Sequence, residues 1–262
     1  MKKLIVIFIS FTMMIFMGSC VGTKQVTYFQ NIDSINLATN NGLYDAKIMP
    51  KDLLTITVNT TNEEASKPFN LHFDNQNYGG SNSINNYGYL VDNSGNINFP
   101  VVGKIHVVGL TKGECEDLIK EKIKPYMAAT ENPVITVRMA SYRVTVIGEV
   151  GGPRVIPVTT EKMSIVEALA QAGDLSIYGK RNNILLIRED AQGNKSAHRL
   201  NIMDANILNS PYYYLQQNDI IYVEPNSVKV TNSSIGTSTS LWVGLTTSLL
   251  SLAALIVSIL KN

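Results

Sequence analysis

From Leu241 to Leu260 the chain carries no charged side chain, and a second apolar run, Leu4–Met17, follows Lys2 and Lys3 at the other end. At 1.5 Å per residue the C-terminal run would reach roughly 30 Å, the thickness of a bilayer's hydrocarbon core. No stretch between the two runs could cross a membrane, so whatever folds must do so in the water between two membrane handles. The N-terminal run is too short and wrongly flanked for a mature span. Its basic start and the small pair Gly18-Ser19 read as a secretory signal over residues 1–19.

The residue after the expected cut is Cys20, and Met17-Gly18-Ser19-Cys20 resembles a bacterial lipobox, with methionine where leucine is commonest. Cys20 is therefore expected to become an acylated N-terminus; ordinary secretion with an incidental cysteine is the other reading. The full chain has 22 Lys and Arg against 21 Asp and Glu, and cleavage removes Lys2 and Lys3 but no acid, leaving one net negative charge. Such a balance offers no basic field to nucleic acid. Once Cys20 is acylated only Cys115 remains, which excludes an internal disulfide and leaves a small core residue on an apolar helical stripe.

The C-terminal run also has a pattern. Thr237, Ser240, Gly244, Thr247, Ser251, Ala254 and Ser258 recur at alternating steps of three and four and share one helical face. Leu241, Leu245, Leu249, Leu252, Ile256 and Ile259 cover much of the rest. Small and hydroxyl residues on one face let helices approach closely, or face a wet lumen. A plain anchor whose serines bond to their own backbone is the other reading. One helix cannot enclose a channel, so a pore lined by this stripe requires a cyclic oligomer.

The stretch between the handles is long enough for two small domains. Residues 21–43 are polar and poor in periodicity and read as a tether. Leu53–Val58 is a β-branched strand introduced by the turn-like Pro50-Lys51-Asp52. Residues 59–88 form an Asn-, Ser-, Gly- and Tyr-rich excursion, whose Tyr78, Tyr87 and Tyr89 offer either glycan contact or ordinary loop packing. Alternation resumes around an Asp92–Gly95 turn. Thr111-Lys-Gly-Glu114 then forms a capping box before the stripe Cys115, Leu118, Ile119 and Ile123, and a strand follows at 134–139. In the second unit Gly151-Gly152-Pro153 joins two strands as a hairpin, and Ser164-Ile-Val-Glu167 caps a short helix that Gly173 stops. Strands at 183–190 and 219–225 complete a small α+β domain of β-grasp type. Asp52-Leu-Leu-Thr-Ile-Thr-Val58 and Asp219-Ile-Ile-Tyr-Val223 echo one another, an aspartate turn entering a buried strand each time.

No catalytic or cofactor signature accompanies this pattern. His72, His106 and His198 are scattered without metal-ligand spacing, and nucleophile elbow, Walker loop and dinucleotide fingerprint are all missing from the sequence. Isolated carboxylates such as Glu149 read as structural. The expectation is a non-enzyme that needs no cofactor and no metal.

Residues 44–225 resemble the outer-membrane polysaccharide export (Wza-like) family. The likeness rests on YDAKIMPKDLLTITV (44–58), GNINFPVVGKIHVVGLTKGE (95–114), NPVITV (132–137), VTVIGEVGGPRVIPV (144–158) and SIVEALAQAGDL (164–175), in that order. Lys51 departs from the pattern, standing where the family usually has glycine. The resemblance implies an export domain at 44–139 and a soluble-ligand-binding β-grasp (SLBB) domain at 142–225. Around them lie a lipidated tether at 20–43, a linker at 226–240 and a transmembrane helix at 241–260. It also implies a homo-oligomeric ring in the outer membrane, with most of each chain in the periplasm. Such a ring would take capsular or exopolysaccharide from an inner-membrane copolymerase of tyrosine-kinase type. The competing expectation is a doubly anchored periplasmic glycan-binding protein without a pore; an envelope-remodelling enzyme has no site to support it.

Overall fold

The computed structural model describes residues 26–36, 44–71, 88–160, 162–234, 241–242, 244–249 and 251–252. The expected signal, Cys20, His72, Tyr78, Tyr87, Ser240, Ala254 and Ser258 lie outside the described residues.

The first unit is organised by β1 (Leu53–Asn59), where Leu54, Ile56 and Val58 are buried and the alternate residues are not. That period of two places one face of the strand on the core. β1 is the middle of an antiparallel sheet between β2 (Tyr89–Leu90) and β5 (Val134–Met139), with Ile56 opposite Val137. Part of the polar excursion is ordered against this sheet. Its short helix α1 (Glu63–Ser66) leads to Phe69, which is buried, and the Asn70 carboxamide clasps the Val58 N–H and C=O at 2.8 Å each. A hairpin of β3 (Asn96–Phe99) and β4 (Gly103–His106) follows, then α2 (Lys112–Ile123). α2 has the expected capping box and buries Cys115, Ile119 and Ile123. Its Glu116 Oε1 accepts from the Val137 N–H at 2.9 Å, tying helix to sheet.

The second unit is a five-stranded mixed sheet. β6 (Arg143–Gly148) and β7 (Arg154–Pro157) form the predicted hairpin. α3 (Ile165–Gln171) crosses from them, opened by the Ser164–Glu167 capping box and ended at Gly173, whose φ of +80° only glycine adopts without strain. β8 (Gly179–Glu189), β9 (Lys195–Leu200) and β10 (Ile220–Pro225) complete the order β7-β6-β10-β8-β9. β10 runs parallel to β6 and antiparallel to β8, the mixed sheet with one crossing helix of a β-grasp.

Three segments differ from expectation. β9 escapes periodicity because only Leu200 of its residues is buried, so this sheet-edge strand carries almost no apolar alternation. The expected linker at 226–240 begins as a helix, α4 (Ser227–Ser234), whose Lys229 N–H is capped by the Asn226 side chain. Residues 26–36, expected as part of a plain tether, are docked on the second unit. Phe29 and Gln30 donate backbone N–H groups to the carbonyls of Ile202 and Met203, and Asn31 brackets Asp204 and the Ala205 N–H. Nothing local in that polar segment encodes the docking; its partners lie in the second unit.

Candidate functional site

The two units meet where each contributes an aspartate turn. Asp52 Oδ2 accepts from the Met49 N–H at 2.8 Å, and Asp219 Oδ2 accepts from the Gln216 N–H at 2.7 Å. The residue before each aspartate is left-handed, Lys51 at φ +72° and Asn218 at φ +63°. Lys51 therefore takes a left-handed conformation of the kind glycine adopts without strain. The surroundings differ. Asp219 is gripped by Arg188, from Nε to Oδ1 at 3.0 Å and from Nη2 to Oδ2 at 2.6 Å. Burial pushes the Asp219 carboxyl up while the guanidinium pulls it back. Asp52 is fully buried, and its Oδ1 has no hydrogen-bond partner. Burial pushes its carboxyl up to about 6 against the pull of the Met49 amide.

Side chains bridge the seam. Ser141 Oγ accepts from the Leu53 N–H at 2.9 Å and from Gln217 Nε2 at 3.1 Å, while Gln217 Oε1 accepts from the Arg143 N–H at 2.9 Å. Tyr44 donates to the Leu215 carbonyl at 2.7 Å and stacks on Tyr214. A crevice of about 300 Å³ lies along this line, bounded by Met49–Lys51 and Asn93 on one side and by residues 189–193, Gln217 and Asn218 on the other. Asn93 and Asp190 belong to matching hairpin turns. Asp92 Oδ1 accepts from the Ser94 and Asn96 N–H groups, and Asp190 Oδ1 accepts from those of Gln192 and Asn194. The shared spacing Asp-x-x-Gly-Asn, at 92–96 and 190–194, is a signal present in the sequence that periodicity alone passes over.

At the other end of the second sheet, Val26 and α4 face a common cleft together with the start of β8. The docked N-terminal segment and the departing C-terminal helix therefore share one side of the domain. Beyond α4, residues 241–242, 244–249 and 251–252 are helical. Leu241, Trp242, Leu245, Leu249 and Leu252 are 55–69% exposed, an apolar surface that nothing among the described residues covers. Of the predicted stripe, Gly244, Thr247 and Ser251 fall on this described helix and are exposed too. Thr247 and Ser251 donate their hydroxyls to the carbonyls of Gly244 and Ser248. From 241 to 252 such a helix covers on the order of 18 Å. Among the described residues no helix is long and apolar enough to cross a membrane.

The remaining candidate residues are structural where described. Glu114 and Glu167 accept from the backbone N–H of their own caps, which holds both carboxyls below the usual range. Cys115 is buried and its thiol is pushed up to about 12 by that burial, so it is inert. Tyr89 is packed on Phe99 inside the first unit. Glu149 accepts from Ser176 Oγ at 2.9 Å. His198 stacks on Tyr212, and His106 contacts Asn96. Among the described residues no cluster of His, Cys, Asp and Glu could hold a metal ion.

The described residues thus form a strand-centred antiparallel unit, a β-grasp unit joined to it by a polar seam, and an exposed apolar helix. Comparison with known proteins makes this specific. The family described as "Polysaccharide biosynthesis/export protein" matches residues 40–140, and the SLBB domain matches residues 142–223. The EPS I polysaccharide export outer membrane protein EpsA of Ralstonia nicotianae is 35% identical over 179 residues, 64% of this chain and 44% of that protein. Its counterpart in Ralstonia solanacearum is 32% identical over 179 residues, 64% of this chain and 45% of that protein. The chain thus spans less than half the length of these relatives. Residues 40–223 thus carry a polysaccharide-export domain followed by an SLBB domain, which together with these relatives supports an outer-membrane polysaccharide export family.

Proposed function

We propose that this chain is the subunit of an oligomeric outer-membrane translocon for capsular or exopolysaccharide. In this reading residues 1–19 are a cleaved signal, Cys20 is acylated, and residues 20–43 lead into an export domain at 44–139. An SLBB domain at 142–225 and a connection at 226–240 then carry a membrane helix at 241–260. The observation that carries it is the uncovered apolar surface of Leu241, Trp242, Leu245, Leu249 and Leu252 beside the small face of Gly244, Thr247 and Ser251. Exposed apolar area of this kind calls for lipid or other chains. A polar passage made of single helices calls for a closed ring of them. Energy enters elsewhere, from an inner-membrane copolymerase of tyrosine-kinase type, and this chain performs no catalysis.

The hydroxyls of Thr247 and Ser251 turned onto their own helix backbone support a second reading, a doubly anchored periplasmic glycan-binding protein with no pore. The mass of the detergent-extracted protein separates the two: a ring is expected, and a monomer would favour the second. Single cysteines along 240–258 in a Cys115→Ser background, probed with a membrane-impermeant reagent, test the lining. Labelling at 247, 251 and 258 that spares 245, 249 and 252 is expected of a wet lumen. Uniform protection would leave a plain anchor or a dry helix bundle. On insertion scales Leu249→Arg should cost about 2.5–3.5 kcal/mol if that face meets lipid near mid-membrane, and should impair assembly.

A further inference from the structure

We propose that the cleft between Val26, the start of β8 and α4 binds the anionic headgroup of a membrane phospholipid. The proposal rests on the membrane-attached reading above, because it needs lipid within reach of this end of the second domain.

The first observation is a buried cation with no carboxylate in direct contact among the described residues. Arg181 is 6% exposed, and its guanidinium donates to two backbone carbonyls, Gly179 at 3.1 Å and Leu175 at 3.4 Å, and interacts with the Tyr28 hydroxyl. Its charge also lies over the Tyr28 ring, 5.7 Å from the centroid. Nε is buried without an acceptor, and among the described residues no carboxylate pairs with it. Asp174 is linked to Arg181 only through Tyr28, whose hydroxyl donates to it at 2.6 Å. Buried charges are ordinarily paired, as Arg188 is with Asp219 in this same sheet. Arg181, like Asp52 in the first unit, lacks such a pair among the described residues, and it stands in a cleft wall.

The second observation is the composition of that wall. The cleft measures about 1000 Å³ and is lined by Lys180 and Arg181 but by no Asp or Glu. Lys180 is held at 3.2 Å by Glu224, which is not among the lining residues. Asn182, Asn183 and Ser227 add neutral hydrogen-bonding groups. The same walls carry Val26, Ile177, Val228 and Val230, between 51 and 71% exposed. With Lys180 paired to Glu224, the cation in this wall that lacks a direct carboxylate is Arg181, and it selects an anion. A space of this size, half of it apolar, suits a phosphate carried on a glycerol ester with the start of its chains better than a bare ion or a uniformly polar sugar acid. The location agrees, because Val26 closely follows Cys20 and α4 leads toward the apolar helix.

The test is native mass spectrometry of the full chain in a neutral detergent. The probes are dihexanoyl phosphatidylglycerol, dihexanoyl phosphatidylcholine, inorganic phosphate and a uronic-acid oligosaccharide. Phosphatidylglycerol should bind at least tenfold more tightly than phosphatidylcholine. Lys180→Glu and Val228→Asp, both on partly or largely exposed side chains, should each weaken it tenfold or more with unchanged circular dichroism. Arg181→Met is the more direct change, and those two variants keep the test open if it fails to fold. Equal binding of the two lipids, or indifference to Lys180→Glu, would overturn the proposal. So would inorganic phosphate or the oligosaccharide binding as tightly as phosphatidylglycerol, since the site would then recognise the anion without its lipid. The membrane reading is scored separately, by the intact mass of the mature N-terminus and by membrane fractionation. Attachment without lipid selectivity sinks the site alone; selectivity in an unacylated, freely soluble protein sinks the attachment alone.

Discussion

At Met49–Asp52 and again at Gln216–Asp219 the chain builds the same turn. A left-handed residue precedes an aspartate whose carboxylate accepts from the amide three residues back, and a buried strand follows. In the second unit Arg188 reaches that carboxylate from β8 and donates to both oxygens. In the first unit no cation among the described residues does, and one oxygen of Asp52 is left without a partner there. The turn geometry is therefore set locally, while its electrostatics are set by the neighbouring strand. An aspartate held by its own turn remains a burial problem unless a strand elsewhere in the sequence brings an arginine.

The largest expected effect lies in the paired turn. Arg188→Ala strands Asp219 as an uncompensated buried carboxylate and should destabilise the protein by about 3–5 kcal/mol. Urea unfolding of the full chain in detergent, followed by circular dichroism, measures it. A loss near 1 kcal/mol would mean that the two turns are energetically alike and the contrast is only geometric.

Next comes Asp52. Its folded carboxyl titrates near 6 against an ordinary value near 3.8. The fold thus favours the protonated form, and this contribution is present below pH 4 and lost as pH rises through 6. The difference amounts to about 3 kcal/mol at most. Asp52→Asn, which cannot ionise, should therefore gain stability over the parent above pH 6 and show little gain below pH 4. Thermal unfolding from pH 4 to 8 reads this directly. A gain that does not depend on pH would place its origin outside ionisation.

Smaller effects compare the two capping boxes. Thr111→Ala and Ser164→Ala should each cost ~1 kcal/mol, while Glu114→Gln and Glu167→Gln should be nearly neutral, because glutamine also completes the box. Loss of export by either Glu→Gln variant with normal folding would mark a functional carboxylate instead. Smallest of all, Lys51→Gly should stabilise by roughly 0.5–1 kcal/mol by relieving a left-handed lysine. Asn218→Gly should gain less, because asparagine tolerates that conformation better. Denaturant midpoints of the pair would rank them, and equal gains would remove this last difference between the turns.

Much of the fold was legible because its signals are local. Both capping boxes, the Gly173 stop, the hairpin at 151–153 and the alternation of Leu53–Val58 involve residues close in sequence. The echo of the two aspartate turns was legible for the same reason. β9 was not, because an edge strand with a single buried residue need not alternate. The docking of residues 26–36 and the start of α4 were missed as well. The segment is held by backbone groups of Ile202 and Met203 and by Tyr28 and Asn31 reaching Asp174 and Asp204, partners far away in the sequence. The stripe from Ser240 to Ser258 is visible in sequence, but the described structure reaches only Gly244, Thr247 and Ser251 of it.

By itself the sequence determined the order of the two units, the turns and caps that bound their elements, and the uncharged run at 241–260, since each depends on neighbours a few residues apart. Only the tertiary structure decided that Asp219 has an arginine and Asp52 has none, and that Ser141 and Gln217 join the units. Only it could leave Arg181 buried beside the outgoing helix with no carboxylate in direct contact among the described residues. Those outcomes turn on which distant strands lie side by side, and the physics of a buried charge is settled by what is within a few ångströms of it in space.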